Sequence, residues 1–223
     1  MPKAAGTPAR AGRVYQIKVT LNETAPPIWR RLLVAEDITL LKLHWVLQIA
    51  MGWEDCHLHH FIAGKVFYSS PPPYEGSFDD SSDESEAKAR LCDLLPRVKA
   101  KMDYEYDFGD GWMHSIVVEK IDESANERQV PSCIEGAQAC PPEDCGGAPG
   151  YADLLETLAD PDHEQHGEML EWIGGEFDSA HFDIAAVNRA LKPRGRRAAV
   201  KGEPGRVSWS RLGAGSGCRV GRD

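Results

Sequence analysis

Alternation of apolar and polar residues near the N-terminus is the feature that most constrains the fold. Val14–Leu21 alternates over its whole length, and Ile28–Val34 repeats the pattern after the turn sequence NETAPP. Both segments have the period of half-buried strands, so they predict a β-hairpin. Thr39 then precedes a helical spacing of leucines over Leu40–Met51, which Gly52 ends. The chain therefore opens with strand, strand and helix.

Two further segments extend this unit. His60–Tyr68 predicts a strand or a short hairpin after the helix. Met102–Phe108 and Trp112–Ile121 alternate on either side of the turn sequence GDG, which predicts a second hairpin. We expect an α+β fold: a β-grasp-like mixed sheet, extended by the second hairpin.

The period becomes helical after Gly150. Tyr151–Ala159 predicts one helix. Asp160 followed by proline predicts the start of a second helix that reaches Ile173, and Asp178 predicts the start of a third. The fold prediction is thus completed by a helical C-terminal third.

Charge divides the chain into three parts. Of its 25 basic and 35 acidic residues, 12 basic and 2 acidic lie outside 14–191, which leaves 13 basic and 33 acidic inside, a net charge of −20. We predict a flexible N-terminal arm at 1–13, a single domain at 14–192 and a basic disordered tail at 193–223. Within the domain, the Pro-, Ser- and Asp-rich segment 69–90 predicts an acidic disordered loop.

Several functional classes lack their sequence signals. No segment approaches the roughly 18 apolar residues that span a bilayer, and residues 1–13 lack the apolar stretch of a secretion signal. We therefore expect a cytoplasmic protein with no membrane contact. The six cysteines are then expected to be reduced thiols, buried or metal-bound. The phosphate loop, the dinucleotide fingerprint, the serine-hydrolase elbow and the HExxH zinc motif are all missing.

Four segments carry a resemblance to a known family. They are PPIWRRLLV with TLLKLHWVLQIAMGW, then HLHHF, then YEYDFGDGWMHSIVVEKI, and finally CIEGAQACPPEDCGGAPGY with a trailing EWIGGEFD. Together they resemble the plasmid pRiA4b ORF-3-like family, some of whose members carry the label TnpR on mobile elements. The likeness covers about 14–192, and it implies a mobile-element accessory protein without an established activity.

The residues do not support the resolvase label. A tyrosine recombinase needs His-x-x-Arg, and no histidine of this chain is followed by Arg three positions later. A serine recombinase needs a nucleophilic Ser near its N-terminus, and residues 1–38 contain no Ser. An acidic body also repels a phosphate backbone, so nucleic acid could bind only through the C-terminal tail.

The cysteines Cys133, Cys140 and Cys145 form the first candidate site. Thiolates suit zinc, and the two prolines and two glycines around them predict a stiff loop able to present ligands. The fourth ligand we favour is His114, with Asp144 or His163 as alternatives. Buried packing of three free cysteines and a redox role are the competing interpretations.

Two other clusters are candidates. Asp110 and His114 could act as carboxylate and base beside the FGDG turn, joined by Glu143 and Asp144 if the later loop folds back over the hairpin. Turn formation by the aspartates is the competing interpretation. His57 and His59, with Asp55, form the last cluster, as ligands on one strand face or as an exposed strand edge.

Three hypotheses follow. The leading one is a non-enzymatic binding or adaptor domain, stabilised by zinc, with a protein or peptide partner. The second is a metal-dependent hydrolase or nuclease that uses Asp110, His114, Glu143 and Asp144. The third is a nucleic-acid accessory factor that acts through the basic tail. The sequence does not decide whether the protein is an enzyme.

Overall fold

A computed structural model describes residues 12–70, 83–123 and 130–192. The elements in chain order are β1 (Val14–Leu21), β2 (Ile28–Ala35), α1 (Leu40–Met51), β3 (His59–Ala63), β4 (Val66–Ser69), β5 (Glu84–Ser85), α2 (Leu91–Leu94), β6 (Lys101–Tyr106), β7 (Trp112–Asp122), β8 (Ser132–Ala137), α3 (Gly147–Ala159), α4 (His166–Trp172) and α5 (Ile184–Leu191). The fold is mixed α+β, as predicted.

All eight strands form one sheet in the order β5-β4-β3-β6-β7-β1-β2-β8. Neighbouring strands are antiparallel except for β4 and β5, which are parallel. The first hairpin therefore joins the second through the pairing of β1 with β7. The pairing of β6 with both β3 and β7 brings the β6–β7 turn and the start of β3 to the same end of the sheet.

Helix α1 covers one face of the sheet. The Thr39 side chain accepts a hydrogen bond from the Lys42 amide at its start, and Gly52 ends it in the left-handed conformation with φ of 106°. The alternating side chains of β1 and the leucines of α1 are buried in the same core. The two predictions of this hairpin and helix are confirmed, because the apolar period and the end signals are local properties of the sequence.

His60–Tyr68 forms the hairpin of β3 and β4, one of the two forms predicted for it. Three other local predictions differ from the structure. Strand β6 ends before Phe108, since Asp107 turns the chain with φ of 57°. The helices predicted from Asp160 and Asp178 begin later, as α4 and α5, because each aspartate side chain accepts a hydrogen bond from the backbone two residues on and forms a turn. Strand β8 was not predicted.

The acidic segment 69–90 is not wholly a loop. Its final part contains β5, and the Glu86 side chain is buried against β3, where it forms hydrogen bonds with His59 and Ser70. Residues 71–82, the basic tail 193–223 and all but the last two residues of the arm 1–13 lie outside the described residues. Within the described part of the chain, no helix is long and apolar enough to cross a membrane.

Candidate metal centre

Three loops meet at the end of the sheet where β3 and β7 begin. The first follows α1 and carries His57, the second is the β6–β7 turn with Asp107, and the third precedes α3 and carries Glu143 and Asp144. The His57 imidazole lies between the three carboxylates. Its Nε2 is 3.6 Å from Asp107 Oδ2, 3.8 Å from Glu143 Oε2 and 3.2 Å from Asp144 Oδ1.

Local backbone geometry aims the two aspartates at this point. Asp107 and Asp144 both adopt the left-handed conformation, with φ of 57° and 58°. Asp107 Oδ1 accepts a hydrogen bond from the Gly109 amide at 2.9 Å, and its backbone amide donates to the Leu58 carbonyl at 2.9 Å. One carboxylate oxygen thus forms the turn, and the other is left to face His57.

Glu143 is the most buried acid of the third loop. Its side chain is 9% exposed, and Oε1 accepts hydrogen bonds from the Glu54 amide at 2.7 Å and from the Tyr106 hydroxyl at 3.0 Å. Burial raises the pKa of the Glu143 carboxyl, and burial followed by the nearby Glu143 charge raises the pKa of Tyr106. These two donors fix Oε1 and leave Oε2 directed at His57.

Among the described residues, His57 Nε2 and Glu143 Oε2 are buried atoms that make no hydrogen bond of good geometry, although His57 Nε2 lies 3.2 Å from Asp144 Oδ1. The two atoms face one another across the gap between the first and third loops. Buried polar atoms are nearly always partnered, so a facing pair of this kind calls for an explanation.

Asp110 and His114 lie elsewhere. Asp110 Oδ2 accepts a hydrogen bond from the Gly146 amide at 3.0 Å, which ties the β6–β7 turn to the loop before α3. His114 is fully buried, with Nδ1 2.9 Å from the Trp112 carbonyl and Nε2 3.5 Å from the Trp53 indole nitrogen. Burial lowers the pKa of His114 to about 4. Of the four predicted catalytic residues, only Glu143 and Asp144 belong to the cluster around His57.

The structure does not assemble the predicted zinc ligands. Among the described residues, the groups of three or more donor atoms within 4.8 Å of one another do not include Cys133, Cys140, Cys145 or His114. Burial raises the pKa of each of the three thiols, that of Cys145 to about 12. The zinc set stays a prediction that metal analysis can test.

The cysteines are mostly reduced. Cys133, Cys140 and Cys145 are free thiols, as is Cys92. Cys56 differs from the expectation, since its sulfur takes part in a disulfide, and Cys218 lies outside the described residues. Cys56 therefore offers no thiolate to the neighbouring His57 and Glu143.

The second histidine of the predicted pair joins a separate cluster. The His59 ring stacks on the His44 ring of α1, with centroids 3.6 Å apart and planes 4° apart. His44 Nε2 lies 2.9 Å from Asp55 Oδ1, its Nδ1 lies 2.9 Å from the Tyr104 hydroxyl, and His59 Nε2 lies 2.9 Å from Glu86 Oε2. The nitrogen lone pairs of the two stacked imidazoles lie in parallel planes and therefore do not point at one ion. We interpret this cluster as a hydrogen-bond network.

The comparisons with known proteins agree with the sequence resemblance. The family model described as plasmid pRiA4b ORF-3-like protein matches residues 13–186. The chain belongs to the plasmid pRiA4b ORF-3-like family.

Two relatives are similar over most of their length. Uncharacterized protein y4hQ of Sinorhizobium fredii (strain NBRC 101917 / NGR234) is 39% identical over 183 residues, which cover 80% of this chain and 90% of the relative. The crystal structure of the protein of unknown function MM3350 from Methanosarcina mazei Go1 is 35% identical and superposes with a TM-score of 0.69. The superposition covers 78% of this chain and 97% of the Methanosarcina mazei chain. The family and the fold are thereby established, and the activity has to be argued from the site.

Proposed function

We propose that the protein is a metal-dependent hydrolase whose divalent cation is held by His57, Asp107, Glu143 and Asp144. The observation that carries this proposal is the convergence of three carboxylates on one imidazole nitrogen. His57 Nε2 lies 3.6 Å from Asp107, 3.8 Å from Glu143 and 3.2 Å from Asp144, and neither it nor the buried Glu143 Oε2 makes a hydrogen bond of good geometry. A cation between them would satisfy both atoms at once.

The spacing of the donor atoms supports one ion. Ligand atoms about 2.1 Å from a metal lie about 3.0 Å apart in octahedral and about 3.4 Å apart in tetrahedral geometry. The distances from His57 Nε2 to the three carboxylates, 3.2, 3.6 and 3.8 Å, are close to this range. The donor atoms of His57, Asp107 and Asp144 all lie within 4.8 Å of one another, and Glu143 would have to approach these carboxylates to complete the set.

Charge points the same way. Three carboxylates around one imidazole concentrate negative charge, and like charges in a partly buried site oppose one another. Across the described residues, these three acids form ion pairs with His57 and with no Lys or Arg. Oxygen donors with one imidazole suit Mn²⁺ and Zn²⁺ better than they suit softer ions.

Hydrolysis is supported by the asymmetry of the site. The Asp107 and Glu143 side chains are each 9% exposed, whereas that of Asp144 is 55% exposed, so the site opens to solvent on one side. A metal with an open coordination position lowers the pKa of its bound water and polarises a substrate carbonyl. The buried residues would hold the ion, and the Asp144 side would admit water and substrate.

The other hypotheses remain as alternatives. A binding or adaptor domain on a β-grasp-like scaffold is supported by the element order β1, β2, α1, β3, and it would need the ion only for stability. A nucleic-acid accessory role depends on the tail 193–223, and the acidic body opposes it. A protein that binds the metal and hydrolyses no substrate would favour the binding domain.

The test is the metal content of purified, tag-free protein by elemental mass spectrometry, after exposure to Mn²⁺ and to Zn²⁺. We expect about one ion per chain in the wild type and in Cys140→Ser/Cys145→Ser, and little in His57→Ala or Glu143→Gln. Loss of metal in the cysteine variant alone would favour the zinc set predicted from the sequence. Absence of metal from the folded wild type would refute the proposal.

A further inference from the structure

The loop after α1 places a cysteine beside the candidate metal centre. Cys56 directly precedes His57, and its backbone amide donates a hydrogen bond to the Tyr106 hydroxyl at 3.1 Å. The Cys56 sulfur lies 3.9 Å from the same hydroxyl, which in turn donates to Glu143 Oε1 at 3.0 Å. One hydroxyl group therefore fixes Cys56 and Glu143 next to each other.

Two groups of donor atoms meet at the centre, and they share His57. In the oxygen group, the donor atoms of His57, Asp107 and Asp144 all lie within 4.8 Å of one another. In the sulfur group, those of Cys56, His57 and Glu143 do so. The Glu143 side chain is 9% exposed, and its Oε2 makes no hydrogen bond of good geometry. Buried carboxylate oxygens are nearly always hydrogen-bonded, so this one points to a ligand within the sulfur group.

A disulfide keeps the sulfur group incomplete in this structure, because it occupies the Cys56 sulfur. Four of the other cysteines are free thiols: Cys92, Cys133, Cys140 and Cys145. Cys218, outside the described residues, is the one that remains to pair with it. Cys56 is exposed, and exposed disulfides are the ones that thiol reductants reach most readily.

We propose that reduction of this disulfide completes a zinc site made of Cys56, His57 and Glu143. The step rests on the proposed function, because it takes His57 and Glu143 to be metal ligands. Thiolate ligands favour Zn²⁺, whereas carboxylate oxygens suit Mn²⁺. The oxidised protein therefore binds its ion through the oxygen group, and the reduced protein binds zinc through the sulfur group. Three protein ligands leave the fourth position of a tetrahedral zinc ion open to water, as in catalytic zinc sites.

The reduction is balanced by a thiol compound such as glutathione. Two of its thiols supply two electrons and two protons, the S–S bond of Cys56 breaks, and two cysteine thiols form while the reductant leaves as its own disulfide. Zinc then replaces the proton of the Cys56 thiol, and that proton passes to solvent. Binding of Mn²⁺ by the oxygen group involves neither step, so reduction should act on zinc binding alone.

The first experiment compares the two redox states of the full chain. Calorimetry gives the affinities for Zn²⁺ and for Mn²⁺ of the oxidised protein and of protein reduced by tris(2-carboxyethyl)phosphine, a reductant without a thiol. We expect reduction to raise the affinity for Zn²⁺ by at least about tenfold, as for the gain of one charged ligand, and to leave that for Mn²⁺ unchanged. Equal affinities for Zn²⁺ in the two states would overturn the inference.

A set of cysteine variants assigns the effect to one sulfur. Cys218→Ser leaves Cys56 as a free thiol, so without reductant it should bind Zn²⁺ as tightly as the reduced wild type does. Cys56→Ser should bind Zn²⁺ as the oxidised wild type does, with or without reductant. Cys92→Ser is the control, because Cys92 is a free thiol of α2 outside both donor groups, and it should behave as the wild type. A rise in the Zn²⁺ affinity of Cys56→Ser on reduction would overturn the assignment.

Cobalt provides a direct readout of sulfur ligation. Co²⁺ replaces zinc in tetrahedral sites, and a thiolate ligand gives it a sulfur-to-metal charge-transfer band in the near ultraviolet. We expect this band in the reduced wild type and in Cys218→Ser, and we expect none in the oxidised wild type or in Cys56→Ser. A band of equal intensity in reduced Cys56→Ser would assign the ligation to other cysteines and overturn the inference.

These measurements separate the inference from the proposed function. Binding of Mn²⁺ in both states, with an unchanged affinity for Zn²⁺, would overturn the sulfur site and leave the oxygen site standing. Binding of Zn²⁺ by the reduced protein alone, lost in Cys56→Ser, would support the sulfur site and overturn the oxygen site. Absence of both ions from both states would overturn the two proposals together.

Discussion

Replacement of Asp144 by asparagine should change the stability of the protein in opposite directions with and without metal. Asparagine is the best choice at this position, because Asp144 has a φ of 58° and asparagine tolerates the left-handed conformation. The change therefore removes a charge and keeps the shape of the loop.

The metal-free effect follows from like charges. Two unit charges 4 Å apart interact by about 1 kcal/mol in water. The Asp144 side chain is 55% exposed, so solvent screens its repulsion by the other carboxylates, and removal of that repulsion stabilises the protein only a little. We expect Asp144→Asn to raise the free energy of unfolding of the metal-free protein by about 0.3–1 kcal/mol. For a domain of this size, that corresponds to a rise in Tm of about 1–4 °C.

The metal-bound effect is larger and opposite. Wild-type protein at a metal concentration 100 times its Kd gains about 2.7 kcal/mol from binding. Loss of one charged ligand should weaken binding by about tenfold to a hundredfold, which leaves a gain of about 0.4–1.4 kcal/mol at the same concentration. The wild type should then be the more stable of the two proteins, so the order of their Tm values reverses.

The assay is thermal unfolding in EDTA and in Mn²⁺ or Zn²⁺, with Kd measured by calorimetry. Asp110→Asn is the matched control, because Asp110 is a nearby carboxylate that binds the Gly146 amide and does not face His57. It should shift Tm equally in both conditions. A shift for Asp144→Asn with the same sign and size in EDTA and in metal would refute the role of Asp144 as a ligand.

Three further changes test other parts of the structure. Arg30 is buried and donates hydrogen bonds to carbonyls of α1 and of the end of β8. Arg30→Met should therefore lower the free energy of unfolding, measured by urea denaturation, by about 3 kcal/mol. An unchanged midpoint of the urea unfolding curve would contradict this role. His114 binds a proton in the unfolded chain near pH 6.5 but in the folded chain only near pH 4. Stability should therefore fall by about 3 kcal/mol as pH drops through that window, and His114→Gln should flatten the profile. Gly147 has a φ of +70°, and an added Cβ would lie 2.5 Å from the Asp110 carbonyl oxygen. Gly147→Ala should therefore lower the free energy of unfolding by at least about 1–2 kcal/mol. It should also weaken metal binding measured by calorimetry.

The fold was predictable where its signals are local. Strand β1 and helix α1 have the bounds that their apolar periods and end residues predict. Strand β8 has no such period, because it is an edge strand that pairs with β2 alone and most of its side chains are not buried. Its formation depends on a neighbour about a hundred residues away, and no local pattern records that pairing.

The candidate site was predictable only in part for the same reason. Glu143 and Asp144 stand out in their loop, but their partners come from segments that only the tertiary structure brings near. His114 is a different case, since its burial was readable from the sequence. It alternates with Trp112 and Ile116 on the buried face of β7, and a period of two places all three in the core.

Two histidine clusters of similar composition show why one of them is a candidate site. Around His44 and His59, both nitrogens of His44 and both carboxylate oxygens of Glu86 have partners, so the network is complete and stabilises the packing of α1 on the sheet.

Around His57 the same residue types leave two facing atoms without a hydrogen bond of good geometry and three acids with no Lys or Arg partner among the described residues. Each of these features lowers the stability of the ligand-free protein. The His44 and His59 cluster shows that the same fold can give a histidine cluster its hydrogen-bond partners. The destabilising arrangement occurs where three loops meet at a solvent-accessible end of the sheet. A ligand that binds there accounts for the arrangement, whereas a purely structural role does not.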